Sequence, residues 1–219
     1  MTMLYQPSHD RFRVADPAAE LERLARAVPA TLVTLSSAGL VASILPMVFH
    51  RQEGLLRGHL ARANPQWRDI SAGVEALALF DGPDTYVTPS WYETKRRTGR
   101  DVPTWNYVTV QARGSLVVHR EEAWLLDHLR ALVDGQEAGR PEPWSVDDPP
   151  DGYIATNARA IVGLELAITS IDAKRKLSQN RLAVDFDGVV EGLASGSGRE
   201  RAVAAEMRQE TPRDRGDAA

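Results

Sequence analysis

The sequence predicts a mainly β protein, an antiparallel β-barrel with peripheral helices, and two observations lead to this fold class. Short runs of apolar and β-branched residues follow one another between residues 30 and 119, and turn signals join several of them. The crossover helices that a doubly wound parallel sheet requires between consecutive strands are missing from this region. An antiparallel barrel accommodates such strands and leaves the few helices at its periphery.

Helix signals frame the predicted strands. Asp16 followed by Pro17 is typical of a helix start, and Pro29 ends this first helix. The predicted strands cover residues 30–35, 40–48, 55–60, 74–80, 85–88, 105–119 and 161–171, with turns at 36–39 and 81–83. A helix is predicted from residue 121 to residue 133, a surface loop over 137–150, and one or two helices after residue 180, interrupted at 195–198.

Composition excludes several classes of protein. The chain of 219 residues carries 26 basic and 30 acidic side chains, a net charge of −4, and its 43% hydrophobic content supports a folded core. Without cysteine, disulfide scaffolds, iron–sulfur clusters and cysteine nucleophiles are excluded. The negative charge argues against direct DNA binding. Since no stretch is apolar enough for a signal peptide or a membrane helix, we expect a cytoplasmic protein with no membrane interaction.

The first candidate site follows a predicted strand. Asn64 and Pro65 predict the start of a short helix, whose free N–H groups suit a phosphate. The planar guanidinium of Arg62 offers two-point contact to phosphate oxygens. Arg57 and His59, two residues apart on the strand, face the same side and add further donors. A capped surface helix with solvated arginines explains the same residues, so that alternative stays open.

The second candidate site is a concentration of aromatic residues. Five of the 14 aromatic side chains (5 Trp, 5 Tyr and 4 Phe in all) lie between residues 86 and 107. Aromatic faces beside amides and hydroxyls suit a planar heteroaromatic ligand, although packing in a core or a dimer interface is equally compatible. A segment with Lys95, Arg96, Arg97 and Arg100 divides the aromatics, and we predict a loop there, acting as a flap, contacting an acidic partner or simply solvated.

The third candidate site is a run of hydrogen-bond donors after the last predicted strand. Residues 174–181 combine two lysines, two arginines, a serine and two amides, which suits a clamp for a polar ligand or a solvated connection. The five histidines lack the spacing of metal ligands, and no nucleophilic trio is evident, so no metal or catalytic residue is predicted. A protein without its own nucleophile or metal can take its chemistry from an organic cofactor.

Five segments at these sites together resemble the PaiB family, described as FMN-binding negative transcriptional regulators: Leu56–Pro65, Pro89–Tyr92, Val102–Tyr107, Ala160–Glu165 and Lys176–Arg181. The resemblance runs from about Tyr5 to Leu193. It implies an antiparallel split β-barrel of the pyridoxamine-phosphate-oxidase type that binds FMN as a homodimer, with the flavin at the subunit interface. On this basis we expect a split-barrel domain over residues 1–193 and a C-terminal helix with a polar tail over 194–219.

The resemblance also turns the three candidate sites into one predicted FMN site. Arg62 and Asn64 would hold the phosphate, Trp105, Asn106 and Tyr107 would lie near the ring, and the segment around Ser178 would reach it. The full candidate set is Arg57, His59, Arg62, Asn64, Trp91, Tyr92, Thr104, Trp105, Asn106, Tyr107, Lys176, Ser178, Gln179 and Asn180.

Three functions remain open at this stage. The family implies a regulatory protein that senses flavin or redox state, and because no helix-turn-helix is evident, an indirect effect on transcription is as plausible as operator binding. A flavin-dependent oxidoreductase acting on a small molecule is the second possibility. The third is a flavin-free structural dimer in which the aromatic cluster only packs an interface.

Overall fold

The computed structural model describes residues 10–37, 39–70 and 73–212, and seven β-strands lie within these ranges. The strands are β1 Ala30–Ser36, β2 Gly39–Leu45, β3 Met47–His50, β4 Leu55–Ala61, β5 Val74–Val87, β6 Thr104–His119 and β7 Ile161–Lys176. They form one sheet in the order β2-β1-β5-β6-β7-β4-β3. The pairs β1–β2, β1–β5, β3–β4 and β4–β7 are antiparallel, as the sequence predicts.

The described residues also form six α-helices and three short 3₁₀ helices. The α-helices are α1 Pro17–Ala27, α2 Glu93–Thr98, α3 Glu122–Glu137, α4 Tyr153–Ala158, α5 Ala183–Ala194 and α6 Gly198–Met207. The 3₁₀ helices cover Asp10–Phe12, Pro65–Asp69 and Pro89–Trp91. Within the described ranges, none of the helices has the length and apolar character needed to cross a bilayer.

The chain divides into two compact units. The large unit comprises residues 16–80 and 110–172 of the described chain, and the small unit comprises residues 10–15, 81–109 and 173–212. The three longest strands, β5, β6 and β7, contribute residues to both units. The predicted division into a domain over residues 1–193 and a tail over 194–219 stays a prediction.

Helix α1 begins and ends where the sequence predicts. The Asp16 carboxylate accepts a hydrogen bond from the Ala19 amide over 3.0 Å, and Pro17 occupies the first turn. This cap satisfies one of the amides that a helix start leaves unpaired. Leu21 and Leu24 are buried, so their face of the helix belongs to the core of the large unit.

Strand β5 differs from the prediction, because no turn interrupts it at residues 81–83. The structure shows one continuous strand of 14 residues where two shorter strands were expected. Cross-strand hydrogen bonds explain the difference: Thr109 Oγ1 donates to Asp81 over 3.0 Å, and Trp105 Nε1 donates to Asp84 over 3.0 Å. Both carboxylates, typical of turns in the sequence, are held by β6 in the small unit.

The basic segment around Arg96 is helical, so the predicted loop is wrong. The segment forms α2, whose first turn is fixed by Asp185: the carboxylate accepts from the Thr94 amide over 2.9 Å and from Thr94 Oγ1 over 2.6 Å. Glu93 then pairs with Arg96 and Arg97 along the helix, over 3.4 and 3.1 Å. Because Asp185 lies 91 residues away in sequence, local sequence gave no sign of this contact.

Strand β7 continues five residues beyond its predicted end at Ile171, to Lys176. An antiparallel bridge joins Lys174 to Arg13, and Arg175 pairs with Glu206 of α6 over 2.8 Å. The donor-rich run is therefore partly strand, not a loop. After it, two helices, α5 and α6, form where the sequence predicted one or two, and a capping box with Ser197 opens α6.

A close approach in the large unit gives the first testable prediction. A Cβ atom at Gly163 of β7 would overlap the ring of Trp124 in α3, whereas a Cβ atom at Gly135 of α3 would meet nothing within 4 Å. We expect Gly163→Ala to lower the free energy of unfolding by about 1–3 kcal/mol through overpacking. We expect Gly135→Ala to raise it by about 0.5–1 kcal/mol because alanine favours a helix.

Urea denaturation of the two variants and of the wild type measures both changes in the free energy of unfolding. An unchanged midpoint in Gly163→Ala would show that the Trp124 ring has room to move away from β7.

Candidate functional site

The candidate residues fall into two clusters, one in each unit. The large unit holds the first cluster, Arg57, His59, Arg62 and Asn64. The small unit holds the second, Trp91, Tyr92, Thr104, Trp105, Asn106, Tyr107, Lys176, Ser178, Gln179 and Asn180.

Arg57 is neutralised by carboxylates of the large unit. Its Nε donates to Glu165 of β7 over 2.8 Å, and a second nitrogen lies 3.3 Å from Glu53. The guanidinium also lies 5.7 Å from the ring centre of Trp124. Glu165 faces Arg57 in the register of β4 and β7, so the ion pair follows directly from strand pairing. These contacts give Arg57 a role in joining β4, β7 and α3.

His59 forms a buried pair with His128 of α3. Their nitrogens Nδ1 and Nε2 lie 3.0 Å apart, so one ring donates a proton and the other accepts it. Burial lowers the pKa of His59. Burial also lowers the pKa of His128, to about 3, with further contributions from His59, His50 and Arg57. Both rings are therefore neutral at pH 7.

Trp124 completes this packing between α3 and the sheet. Its ring stacks on His119 of β6 with centroids 4.3 Å apart, and it lies 5.6 Å from the ring of His128. Trp124 and His128 lie four residues apart in sequence, so they share one face of α3. The sequence gave no signal that two more histidines meet them, because each comes from a different strand.

The junction after β4 has the predicted cap. Asn64 Oδ1 accepts from the Gln66 amide over 2.9 Å, and its Nδ2 donates to Ser43 over 2.9 Å. The helix that Asn64 caps is a 3₁₀ helix of five residues, Pro65–Asp69. The cap therefore satisfies the first amides of this short helix from within the chain.

Arg62 is held by backbone carbonyls. Its Nε donates to the carbonyl of Arg159 over 2.7 Å, and its Nη2 donates to the carbonyl of Ile161 over 3.0 Å. Its own carbonyl accepts from the indole nitrogen of Trp67 over 2.9 Å. Two of the three guanidinium nitrogens are thus committed to fixing the junction. Phosphate binding by Arg62 stays a prediction.

In the small unit, a tight turn follows β7 and buries its polar side chains. The Asn106 amide donates to Ser178 Oγ over 3.0 Å, and the hydroxyl donates back to Asn106 Oδ1 over 3.1 Å. Gln179 closes the turn on itself, accepting from the Leu177 amide and donating to the Arg175 carbonyl over 2.8 and 2.7 Å. Asn106, Ser178 and Gln179 are buried, so they order the turn.

Lys176 stands at the end of β7, and the hydrogen-bond partners of its ammonium group within the described part of the chain are neutral oxygens. Its Nζ donates to Thr104 Oγ1 over 2.7 Å and to the Trp105 carbonyl over 2.5 Å. Burial lowers the pKa of Lys176, and the charges of Lys174 and Arg181 lower it further. The ammonium is therefore in an environment that an anion would stabilise.

A cavity of about 430 Å³ opens beside Lys176 in the small unit. Its walls combine three cations, aromatic rings and neutral polar groups; the lining residues are Phe12, Thr104, Trp105, Tyr107, Lys174, Lys176, Ser178, Asn180 and Arg181. Six of these nine belong to the candidate set. Lys174 and Arg181 lie in the donor-rich run but were not among the candidate residues. No sequence pattern indicated that Phe12 lines this cavity, because the next lining residue, Thr104, lies 92 positions further along the chain.

Trp91 and Tyr92 lie elsewhere in the small unit. Trp91 packs on Gly188 and Gly192 of α5, at which any Cβ atom would overlap it. Tyr92 is fully buried, and burial raises the pKa of its hydroxyl. The guanidinium of Arg181 lies 4.4 Å from its ring centre. These two aromatic residues therefore pack helices α2 and α5, whereas Trp105 and Tyr107 line the cavity.

Strand order, antiparallel pairing and the cationic, aromatic-walled cavity define a class of protein, the split β-barrel of the flavin-binding type. A family described as “Putative FMN-binding domain” matches residues 4–170, and the chain belongs to this family. Protease synthase and sporulation protein PAI 2 of Bacillus subtilis is 32% identical over 165 residues, covering 74% of this chain and 77% of that protein. The predicted membership in the PaiB-like family is thereby confirmed.

Other relatives agree with this assignment. An uncharacterized protein of Aspergillus fumigatus is 36% identical over 172 residues, which cover 64% of this chain and 66% of that protein. Among solved structures, the flavocytochrome Anf3 of Azotobacter vinelandii has a TM-score of 0.55 at 14% identity, covering 78% of this chain and 72% of that chain. The FAD and heme binding protein of Mycobacterium smegmatis has a TM-score of 0.53 at 17% identity, covering 82% and 78%. At these identities the two structures support the fold alone, and the predicted split barrel is confirmed.

The buried histidine pair predicts acid sensitivity. Unfolded His128 takes up a proton near its ordinary pKa of 6.5, whereas the folded residue does so only near pH 3. The unfolded chain therefore binds more protons between these values, and stability falls as the pH is lowered from about 6.5 to about 3. The slope is on the order of 1 kcal/mol per pH unit for one such proton.

Urea denaturation at several pH values tests this expectation. His128→Gln keeps a hydrogen-bonding side chain and removes the titration, so its stability should depend less steeply on pH in this range. An equal slope in the variant and the wild type would assign the acid sensitivity to other groups.

Proposed function

We propose that this chain binds FMN in the cavity of the small unit. The observation that carries the proposal is the combination of aromatic walls and cationic side chains in one cavity, supported by the chain's membership in a family described as FMN-binding. A flavin mononucleotide presents a planar heteroaromatic ring and a phosphate. Aromatic side chains suit the ring, and ammonium and guanidinium groups suit the phosphate.

Two aromatic residues of the cavity differ in how they would meet the ring. Trp105 is 47% exposed and contacts Tyr86 edge-on, with ring centroids 6.3 Å apart. Tyr107 is flanked by the ammonium groups of Lys174 and Lys176, which lie 5.8 and 5.9 Å from its ring centre. Trp105 therefore offers an open face for stacking. Tyr107 is placed to contact a ligand that also reaches the two lysines.

We further propose a regulatory role, in which flavin occupancy or flavin redox state changes the state of the protein in the cytoplasm. Similarity to a protein named for protease synthesis and sporulation supports regulation. The net charge of −4 favours an indirect effect on transcription over direct DNA contact. A flavin-dependent oxidoreductase is the competing function, and catalytic turnover of an added electron donor and acceptor by the FMN-loaded protein would favour it.

The proposed active form is a homodimer, and the β1–β2 hairpin is the surface proposed for its interface. Strand β2 lies at the edge of the sheet, and neither strand of the hairpin carries a charged residue. Leu35, Leu40 and Ile44 are 62%, 78% and 73% exposed. Edge strands of monomers normally carry charges that prevent pairing, and a two-fold axis brings identical apolar surfaces together. A second copy of the chain is therefore the occupant that we propose.

Binding of FMN is tested by titrating the purified protein and following flavin absorbance. We expect a dissociation constant well below millimolar. Because stacking on an aromatic ring contributes about 1–3 kcal/mol, Tyr107→Ala should weaken FMN by about tenfold or more. Tyr153→Ala is the matched control, since Tyr153 is 58% exposed on α4 and does not line the cavity. Wild-type protein that leaves the FMN spectrum unchanged at millimolar concentration would refute flavin binding.

Light scattering after size-exclusion chromatography tests the dimer. Ile44→Lys places a charge in the proposed interface and should yield monomers at concentrations where the wild type is dimeric. Val102→Lys is the control, because Val102 is also exposed, at 68%, but lies outside the hairpin. A monomeric wild type, or a dimer that survives Ile44→Lys, would contradict the proposed interface.

A further inference from the structure

We propose that the small unit holds a second binding site, for a small organic cation of the alkylammonium type. The site is a cavity of about 370 Å³ beside β5 and β6, which we term the acidic cavity, with Asp81, Asp84, Trp105 and Tyr107 among its lining residues. These residues all belong to the small unit. Binding at this site does not require the flavin, so the inference goes beyond the proposed function.

Strand pairing places the two carboxylates and the aromatic residues of the acidic cavity together. β5 and β6 are neighbours in the sheet, and Thr109 Oγ1 of β6 donates to Asp81 of β5 over 3.0 Å. Trp105 Nε1 donates to Asp84 over 3.0 Å. Because alternate residues of a strand point to the same side, Tyr107 shares the face of Trp105 and Thr109. Tyr107 therefore lies on β6 between the two residues that hold the carboxylates.

Asp81 gives the acidic cavity a negative charge that is available to a ligand. Asp84 already has a cation as partner, because Arg199 of α6 pairs with it. Asp81 is exposed, accepts a hydrogen bond from the neutral Thr109 hydroxyl, and forms no ion pair within the described residues. The lining of the cavity contains no lysine or arginine. A cationic ligand would therefore be attracted to the Asp81 carboxylate, whereas an anion would be repelled.

The aromatic residues favour an organic cation over a metal ion. Trp105 and Tyr86 are each 47% exposed, and their rings meet edge-on with centroids 6.3 Å apart. The faces of such rings attract ammonium groups, and the alkyl carbons of the ligand pack against the same rings. A metal ion instead needs several ligand atoms, and in the described ranges no group of three or more histidine, aspartate or glutamate side chains is arranged to hold one.

Two aromatic residues are shared with the cavity beside Lys176. Trp105 and Tyr107 line both cavities. The charged side chains of the two linings have opposite signs, because lysine and arginine line the cavity beside Lys176 and aspartate lines the acidic cavity. The same two aromatic residues thus border a cavity suited to an anion and a cavity suited to a cation.

Choline is the probe for the acidic cavity, and the control probe is its neutral isostere, in which a carbon atom replaces the quaternary nitrogen. Nitrogen–proton correlation spectra of the flavin-free protein, recorded at constant ionic strength, report on the indole N–H of each of the five tryptophans. The signal of Trp105, identified by its loss in Trp105→Phe, should move with choline and saturate at millimolar concentration. The neutral isostere should leave this signal in place.

Substitution of Asp81 tests the contribution of its charge. Asp81→Asn keeps an oxygen for the Thr109 hydroxyl and removes the negative charge, so it should weaken choline binding about threefold or more. Tyr107→Leu should also weaken choline binding, because it removes one of the rings. Asp151→Asn is the matched control and should leave the affinity unchanged, since Asp151 is exposed in the large unit and does not line this cavity. The other signals of each spectrum show whether the variant is folded.

Three results would overturn the cation site: a Trp105 signal that stays in place up to about 100 mM choline, equal movement with the neutral isostere, or equal choline affinity in Asp81→Asn and the wild type. Flavin titration judges FMN binding independently. Because Asp81 does not line the cavity beside Lys176, Asp81→Asn should bind FMN as the wild type does. A protein that binds choline but not FMN keeps the cation site and loses the proposed flavin function, and the reverse result overturns the cation site alone.

Discussion

Lys176 lies half-buried next to Lys174 and Arg181, and the mutual repulsion of these three charges is the constraint on which the small unit's cavity depends. The Asp101 carboxylate pairs with Arg181, and two neutral oxygens accept hydrogen bonds from Lys176 Nζ. Buried charges require a partner. An anion bound beside Lys176 would stabilise its ammonium form.

In the large unit, the basic side chains of the candidate set have partners within the same unit. Arg57 pairs with Glu165, Arg62 holds two carbonyls, and His59 and His128 share one proton as a neutral pair. Every one of these interactions holds a strand or α3 in place. Basic residues close together in sequence thus serve a structural role in one unit and form a cationic cavity in the other.

Local sequence patterns predicted most of the helices and strands. Apolar periodicity, helix-capping residues and turn residues all depend on positions that are close together in sequence. The continuous β5, the helical α2 and the long β7 were missed because their partners are distant: Thr94 meets Asp185 at a separation of 91 residues. At the site, the density of donors predicted Lys176 and its neighbours. The hydrogen bond from Arg62 to the Arg159 carbonyl could not be predicted from neighbouring residues, because Arg159 is 97 positions away in sequence.

The uncharged β1–β2 hairpin has a consequence for the newly synthesised chain. Its innermost paired residues, Ser36 and Gly39, are three positions apart in sequence, so the hairpin can form early from local contacts. Until a second copy covers Leu40 and Ile44, an apolar edge faces water and can pair with any other unprotected strand. Under the proposed dimer, dilution therefore shifts the equilibrium toward monomers and lowers stability, so the melting temperature depends on protein concentration.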